Sequence, residues 1–192
     1  MSYKAYIVLK MYLFHCVRLF RMEIINRLSK GSKDLALNSD PCLEKQNALL
    51  QDQFSSLFRK YSACAACKSH CCDTKANRFD FNDCFLYGLP LKEGSGSKNE
   101  IGRLFISLAE AREYILQKAP HASQENCDYF SDTGCILPAG KRPNTCVTYL
   151  CMNFLKKMEW RDAMEFSGLL NRNFFLHSRI TFALIKSLNA RE

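Results

Sequence analysis

The chain has no run of five basic residues, no glycine-rich phosphate loop, no serine–histidine–acid arrangement and no internal repeat. Each absence removes a class of function. Without a basic run, the formal charge of +8 reads as a solvated surface rather than a nucleic-acid footprint, because Lys92, Lys98, Lys118 and Lys141 are scattered. Without a phosphate loop or a cofactor-binding glycine loop, nucleotide chemistry has no visible seat. Long apolar runs are also missing from the N-terminus. In MSYKAYIVLKMYLFHCVRLFRMEIINRL the longest uncharged stretch is the seven residues from Met11 to Val17, whereas a bilayer span takes about 20 mostly apolar residues. An unbroken apolar core followed by a small-residue cleavage site is missing too, which excludes a visible signal peptide. We therefore expect no transmembrane segment and a cytoplasmic protein.

Three readings of that N-terminus stay open: a helix of the core, a basic helix making weak contact with a membrane surface, or a start assigned too far upstream, with Met22 the true one. Residues 1–40 accordingly read as an apolar, basic segment and linker, and residues 41–192 as a cysteine-bearing domain. With 47% hydrophobic and 12% aromatic residues the 192-residue chain has what it takes to fold around a core.

What is abundant is cysteine. The chain has eleven, nine of them between Cys64 and Cys151. The stretch CAACKSHCC holds Cys64, Cys67, Cys71 and Cys72; Cys84 follows, and then Cys127, Cys135, Cys146 and Cys151. Cys16 and Cys42 stand apart and read as small hydrophobes with a structural role. An odd total, no export signal and an adjacent pair that could not bridge itself without strain argue against a disulfide framework. Metal ligation is the better reading. If the helix that precedes Cys64 continues, Cys64, Cys67 and Cys71 fall at i, i+3 and i+7 on one face, with Cys72 about a quarter turn away. Four thiolates from each cluster make eight, enough for two tetrahedral zinc sites or for iron–sulfur ligation, with Cys84 as a substitute. Bound to two zinc ions, those eight thiolates would lower the net charge to about +4. The spacing matches neither a common small zinc module nor a thioredoxin-like redox pair.

These residues also resemble a family. CAACKSHCC followed by CDYF…GCILPAGKRPNTC is similar to the YkgJ-type cysteine-cluster family, described as a zinc- or iron-chelating domain. The resemblance runs from residue 64 to about 151 and rests on Cys64, Cys67, Cys71, Cys72, Cys127, Gly134-Cys135 and Arg142-Pro143…Cys146. The first cluster departs from many relatives in the order of its spacings, and Cys84 and Cys151 lie outside the minimal pattern. The resemblance implies metal chelation without a settled activity; some larger relatives resemble protein lysine methylases.

Around the cysteines the chain reads as mainly α. Asp40-Pro41 is a helix start, and Leu50, Phe54, Leu57, Phe58 and Tyr61 share one face of a helix running into the first cysteines. RFDFNDCFLYGLP reads as a short extended piece and a turn. LKEGSGSKNE reads as a loop, RLFIS as a strand, and Ser107 with Glu110 as the capping box of a helix ending before Pro120. Asp132-Thr133-Gly134 reads as a turn between two short extended pieces, a small β-hairpin. Pro143 opens a helix through Cys146 and Cys151 towards Trp160, and the tail is helical. Arg142 is either a guanidinium near the thiolates or a surface arginine. His70, between Cys67 and Cys71, reads as solvent-facing in preference to a ligand in place of a thiol, and His15, His121 and His177 read as structural.

Two function classes follow: a metal-binding protein holding zinc or iron on clustered thiolates, or an iron–sulfur-dependent enzyme or enzyme subunit. A nucleic-acid-binding zinc module is the weaker third.

Overall fold

The computed structural model describes residues 3–28, 40–61, 80–87, 130–131, 134–135, 139–148 and 152–190. Their architecture is mainly helical. Helix α1 spans Tyr3–Leu28, α2 Pro41–Arg59, α3 Phe81–Tyr87, α4 Asn144–Thr148, α5 Met152–Lys157 and α6 Trp160–Asn189. Two-residue strands β1 (Phe130–Ser131) and β2 (Gly134–Cys135) pair antiparallel, Phe130 opposite Cys135, and a 3-10 turn covers Ala139–Lys141.

Helix α6 is the axis of the molecule, because α1, α2 and α3 all pack on it. At 1.5 Å per residue its 30 residues run about 45 Å. Phe166, Leu170, Asn173, His177, Ile180, Leu184 and Leu188 recur at helical spacing and are buried, the stripe that a core-facing helix requires. Helix α2 answers with Leu43, Leu50, Phe54 and Leu57. Phe54 is fully buried and meets Phe166 edge-on with ring centroids 5.7 Å apart. Phe58 packs on Phe154 in the same way at 5.2 Å. Burying a side chain of this size stabilises by about 1.5–3 kcal/mol. Helix α1 joins the same core through Ile7 and Ile25, and Phe14 stacks on Phe174 at 4.4 Å. Its Lys10 is buried as well, its Nζ satisfied by the carbonyl and hydroxyl of Ser167 at 2.8 and 2.7 Å.

The start of α2 is as the sequence dictates. Asp40 accepts hydrogen bonds from the N–H groups of Cys42 and Leu43, with Pro41 in the first turn. Its end is not. The helix stops at Arg59, short of Cys64, and the placement of Cys64, Cys67 and Cys71 on one face lies outside the described residues. The Tyr61 hydroxyl accepts the Glu159 N–H (3.0 Å) and donates to Asp162, while Lys60 pairs with Asp162 at 2.8 Å. These contacts tie the end of α2 to the start of α6, whose N-cap residue Glu159 makes no side-chain capping bond but has its own N–H accepted by the Tyr61 hydroxyl.

RFDFNDCFLYGLP is a second correction, since residues 81–87 form a helix rather than an extended piece. The cause is a reciprocal capping box: Asp80 Oδ1 accepts from the Asp83 N–H and Asp83 Oδ2 accepts from the Asp80 N–H, both at 3.0 Å. The helix expected to run from Pro143 through Cys146 and Cys151 towards Trp160 is described on both sides of residues 149–151. Its described parts are α4 and α5, and the chain turns at Met158 and Glu159 before α6 begins. Cys16 and Cys42, read as structural, are both exposed. The readings of LKEGSGSKNE, of RLFIS and of the helix from Ser107 fall outside the described residues.

Candidate functional site

The segment KRPNTC, which leads to Cys146, is fastened to α2 by side chains that propensity alone would leave on the surface. The carboxamide of Gln51 makes a two-pronged bond to the main chain of Arg142: its Nε2 donates to the Arg142 carbonyl at 2.7 Å, and its Oε1 accepts the Arg142 N–H at 3.0 Å. The Tyr87 hydroxyl donates to the same carbonyl at 3.0 Å and itself accepts from Gln51 and Asn47. Burial holds that phenol well above its ordinary range, so it stays a donor. Lys141 reaches Glu44 at 2.8 Å. Gly140 lies so close to Ala48 that a Cβ there would stand 2.8 Å from the Ala48 Cβ. The Arg142 side chain is half-buried and donates to Ser55, one turn nearer the end of α2 from which CAACKSHCC departs. It is therefore not the ordinary surface arginine that was one of its two readings.

Behind this clasp sits a buried polar cluster. Asp83 accepts the Asn144 N–H with both oxygens, at 3.1 and 3.2 Å, and so ties α3 to the first residue of α4, the helix that carries Cys146. Burial and the neighbouring Asp80 charge hold the Asp83 carboxyl well above the usual carboxylate range. Burial pushes Asp80 upward too. The Arg18 guanidinium, whose Nε donates to Asp80 Oδ2 at 2.8 Å, together with His177 and the Asp83 N–H, outweighs this and keeps Asp80 low. The pair thus carries its negative charge on Asp80, opposite Arg18. Asn82 donates to the His177 carbonyl and to Thr181, and Asn173 donates to Asn144 at 2.9 Å.

Of the nine candidate ligands, Cys84 is fully buried in α3 among the apolar core residues, and Cys146 is half-buried in α4. Cys135 is in β2. Cys64, Cys67, Cys71, Cys72, Cys127 and Cys151 lie outside the described residues. Among the described residues no three histidine, cysteine or acidic side chains converge on one point. No described helix is long and apolar enough to cross a membrane.

Sequence reasoning did not find Gln51, Tyr87, Asp80, Asp83 or Arg18. The one local signal was the D-x-x-D spacing of Asp80 and Asp83, a capping-box pattern written with aspartates. Comparison with family models, with curated proteins and with solved structures finds nothing that matches this chain.

Proposed function

We propose that this chain is a metal-binding protein that holds zinc or iron, as single ions or as an iron–sulfur cluster, on clustered cysteine thiolates. The observation that carries the reading is the crowding of nine cysteines into residues 64–151. The ligands would be Cys64, Cys67, Cys71 and Cys72 from the first cluster and Cys127, Cys135, Cys146 and Cys151 from the second, with Cys84 able to substitute. They would surround an irregular centre with a small hairpin at Cys135. The scaffold supports this in one respect. Tyr61, three residues before Cys64, is tied to α6, and Arg142, four residues before Cys146, is clasped to α2. Both approaches to the thiols are therefore held by the helical core, as a closed site needs. The similarity to the YkgJ-type family points the same way, and a reducing compartment such as the cytoplasm keeps such thiols available. A closed thiolate site holds a fold together or carries electrons; catalysis at zinc would need an open coordination position.

The test is a paired replacement. Zinc and iron per chain are measured for Cys64→Ser/Cys67→Ser and for the control Cys16→Ser/Cys42→Ser. The first pair should lose half or more of the bound metal and the control none. Equal metal in both would refute the assignment.

A further inference from the structure

A cavity of about 390 Å³ lies between α1, α3, α4 and α6, a size typical of small-molecule sites, which run about 300–1,000 Å³. Its wall is largely apolar: Val8, Met11, Phe14, Ile25, Leu170 and Phe174. Most of its polar groups are already matched. Arg18 is paired with Asp80, Asn173 with Asn144, and Asn82 with Thr181 and the His177 carbonyl.

Besides Tyr12 and His15, which also line the cavity, two groups keep bonding capacity for an anion. The Arg21 guanidinium stacks on the Phe174 ring with its carbon 4.5 Å from the centroid, and gives one N–H to Ser178 Oγ at 2.6 Å. A guanidinium has five N–H donors, and among the described side chains no carboxylate pairs with Arg21. The second is His177, only 4% exposed. The Asn82 amide nitrogen, oriented by its bond to the His177 carbonyl, approaches Nδ1 at 3.4 Å. Nε2 is buried without a partner, and in the tautomer protonated there it offers the cavity an N–H donor. A buried donor without an acceptor costs about 1–3 kcal/mol. One positive charge and two unused donors in an apolar chamber describe the complement of an oxygen anion with a hydrocarbon tail.

We propose that this cavity binds a medium-chain aliphatic carboxylate, its tail against Met11, Phe14 and Leu170 and its head group on Arg21 and His177. The single unbalanced charge selects a monoanion, and the planar guanidinium fork matches a carboxylate. No cysteine is among the described residues that line it, and the binding proposed needs no metal.

The test is calorimetric titration of the full chain, as purified, with octanoate and with 1-octanol, which has the same tail and no charge. Octanoate should saturate one site per chain and bind at least tenfold tighter than octanol. Arg21→Met should weaken octanoate tenfold or more and leave octanol unchanged. Equal affinity for the two compounds, or no saturable octanoate binding, overturns the proposal. The octanoate–octanol comparison decides on the unaltered protein even if Arg21→Met does not fold.

Discussion

Replacing Gln51 by leucine should loosen the segment that leads to Cys146 while leaving α2 itself intact. The carboxamide of Gln51 makes three hydrogen bonds, to the Arg142 carbonyl (2.7 Å), from the Arg142 N–H (3.0 Å) and to the Tyr87 hydroxyl (3.1 Å). Leucine keeps the volume and helix preference but removes all three. An intramolecular hydrogen bond is worth about 0.5–1.5 kcal/mol net. The Arg142 carbonyl retains the Tyr87 donor, whereas the Arg142 N–H loses this acceptor. Arg142 is half-buried, so water recovers part of the loss, and the expected cost is about 2–3 kcal/mol. For a urea slope of about 2 kcal/mol per molar, the unfolding midpoint should fall by about 1–1.5 M. Urea unfolding followed by circular dichroism reads this directly, with the exposed neighbour Asp52→Ala as a control that should move by less than about 0.5 kcal/mol. A Gln51→Leu protein as stable as the unaltered chain would refute the clasp.

Three further outcomes are expected. His177 is fully buried, and burial pushes its imidazole down to about 4 from an ordinary 6.5. Above pH 6.5 the ring is neutral in both states; between 6.5 and about 4 only the unfolded chain takes up the proton, so stability falls as pH falls. His177→Gln should therefore lose about 2–3 kcal/mol less than the unaltered chain between pH 7 and 4.5 in denaturant titrations, and parallel curves would contradict the burial argument. Gly140→Ala sets a methyl 2.8 Å from the Ala48 Cβ and 3.2 Å from its Cα, and should cost about 1–3 kcal/mol. Adding Ala48→Gly should recover most of that in thermal unfolding; no recovery would mean that the close approach is not the cause.

The parts of this fold that were legible in the sequence are those decided within one or two turns of chain. Asp40-Pro41 carries its own cap, and the apolar stripes of α2 and α6 follow from period alone. Local pattern misled at RFDFNDC, where Phe79 and Phe81 alternate like a strand. The two aspartates then satisfy each other's main chain, and a helix begins. The end of α2 at Arg59 was not legible either, because Tyr61 beside it is bonded to Glu159 and Asp162, about a hundred residues away. The clasp on Arg142 and the Arg18–Asp80 pair are equally non-local, joining residues 91 and 62 positions apart. The crowding of the cysteines is a local property and is read directly from the sequence. Which thiols would share a metal is not, since that depends on how distant segments meet.

The central claim stands or falls on metal content and visible absorbance of the full chain purified without oxygen or added metal. Tightly held metal is expected: either near two zinc ions per chain and no colour, or several irons with labile sulfide and a brown chromophore that bleaches on reduction or in air. Removing that metal should lower the unfolding temperature, because binding energy at such sites is folding energy. A colourless protein with neither metal in stoichiometric amount, and as stable after chelation as before, would contradict the reading of these cysteines.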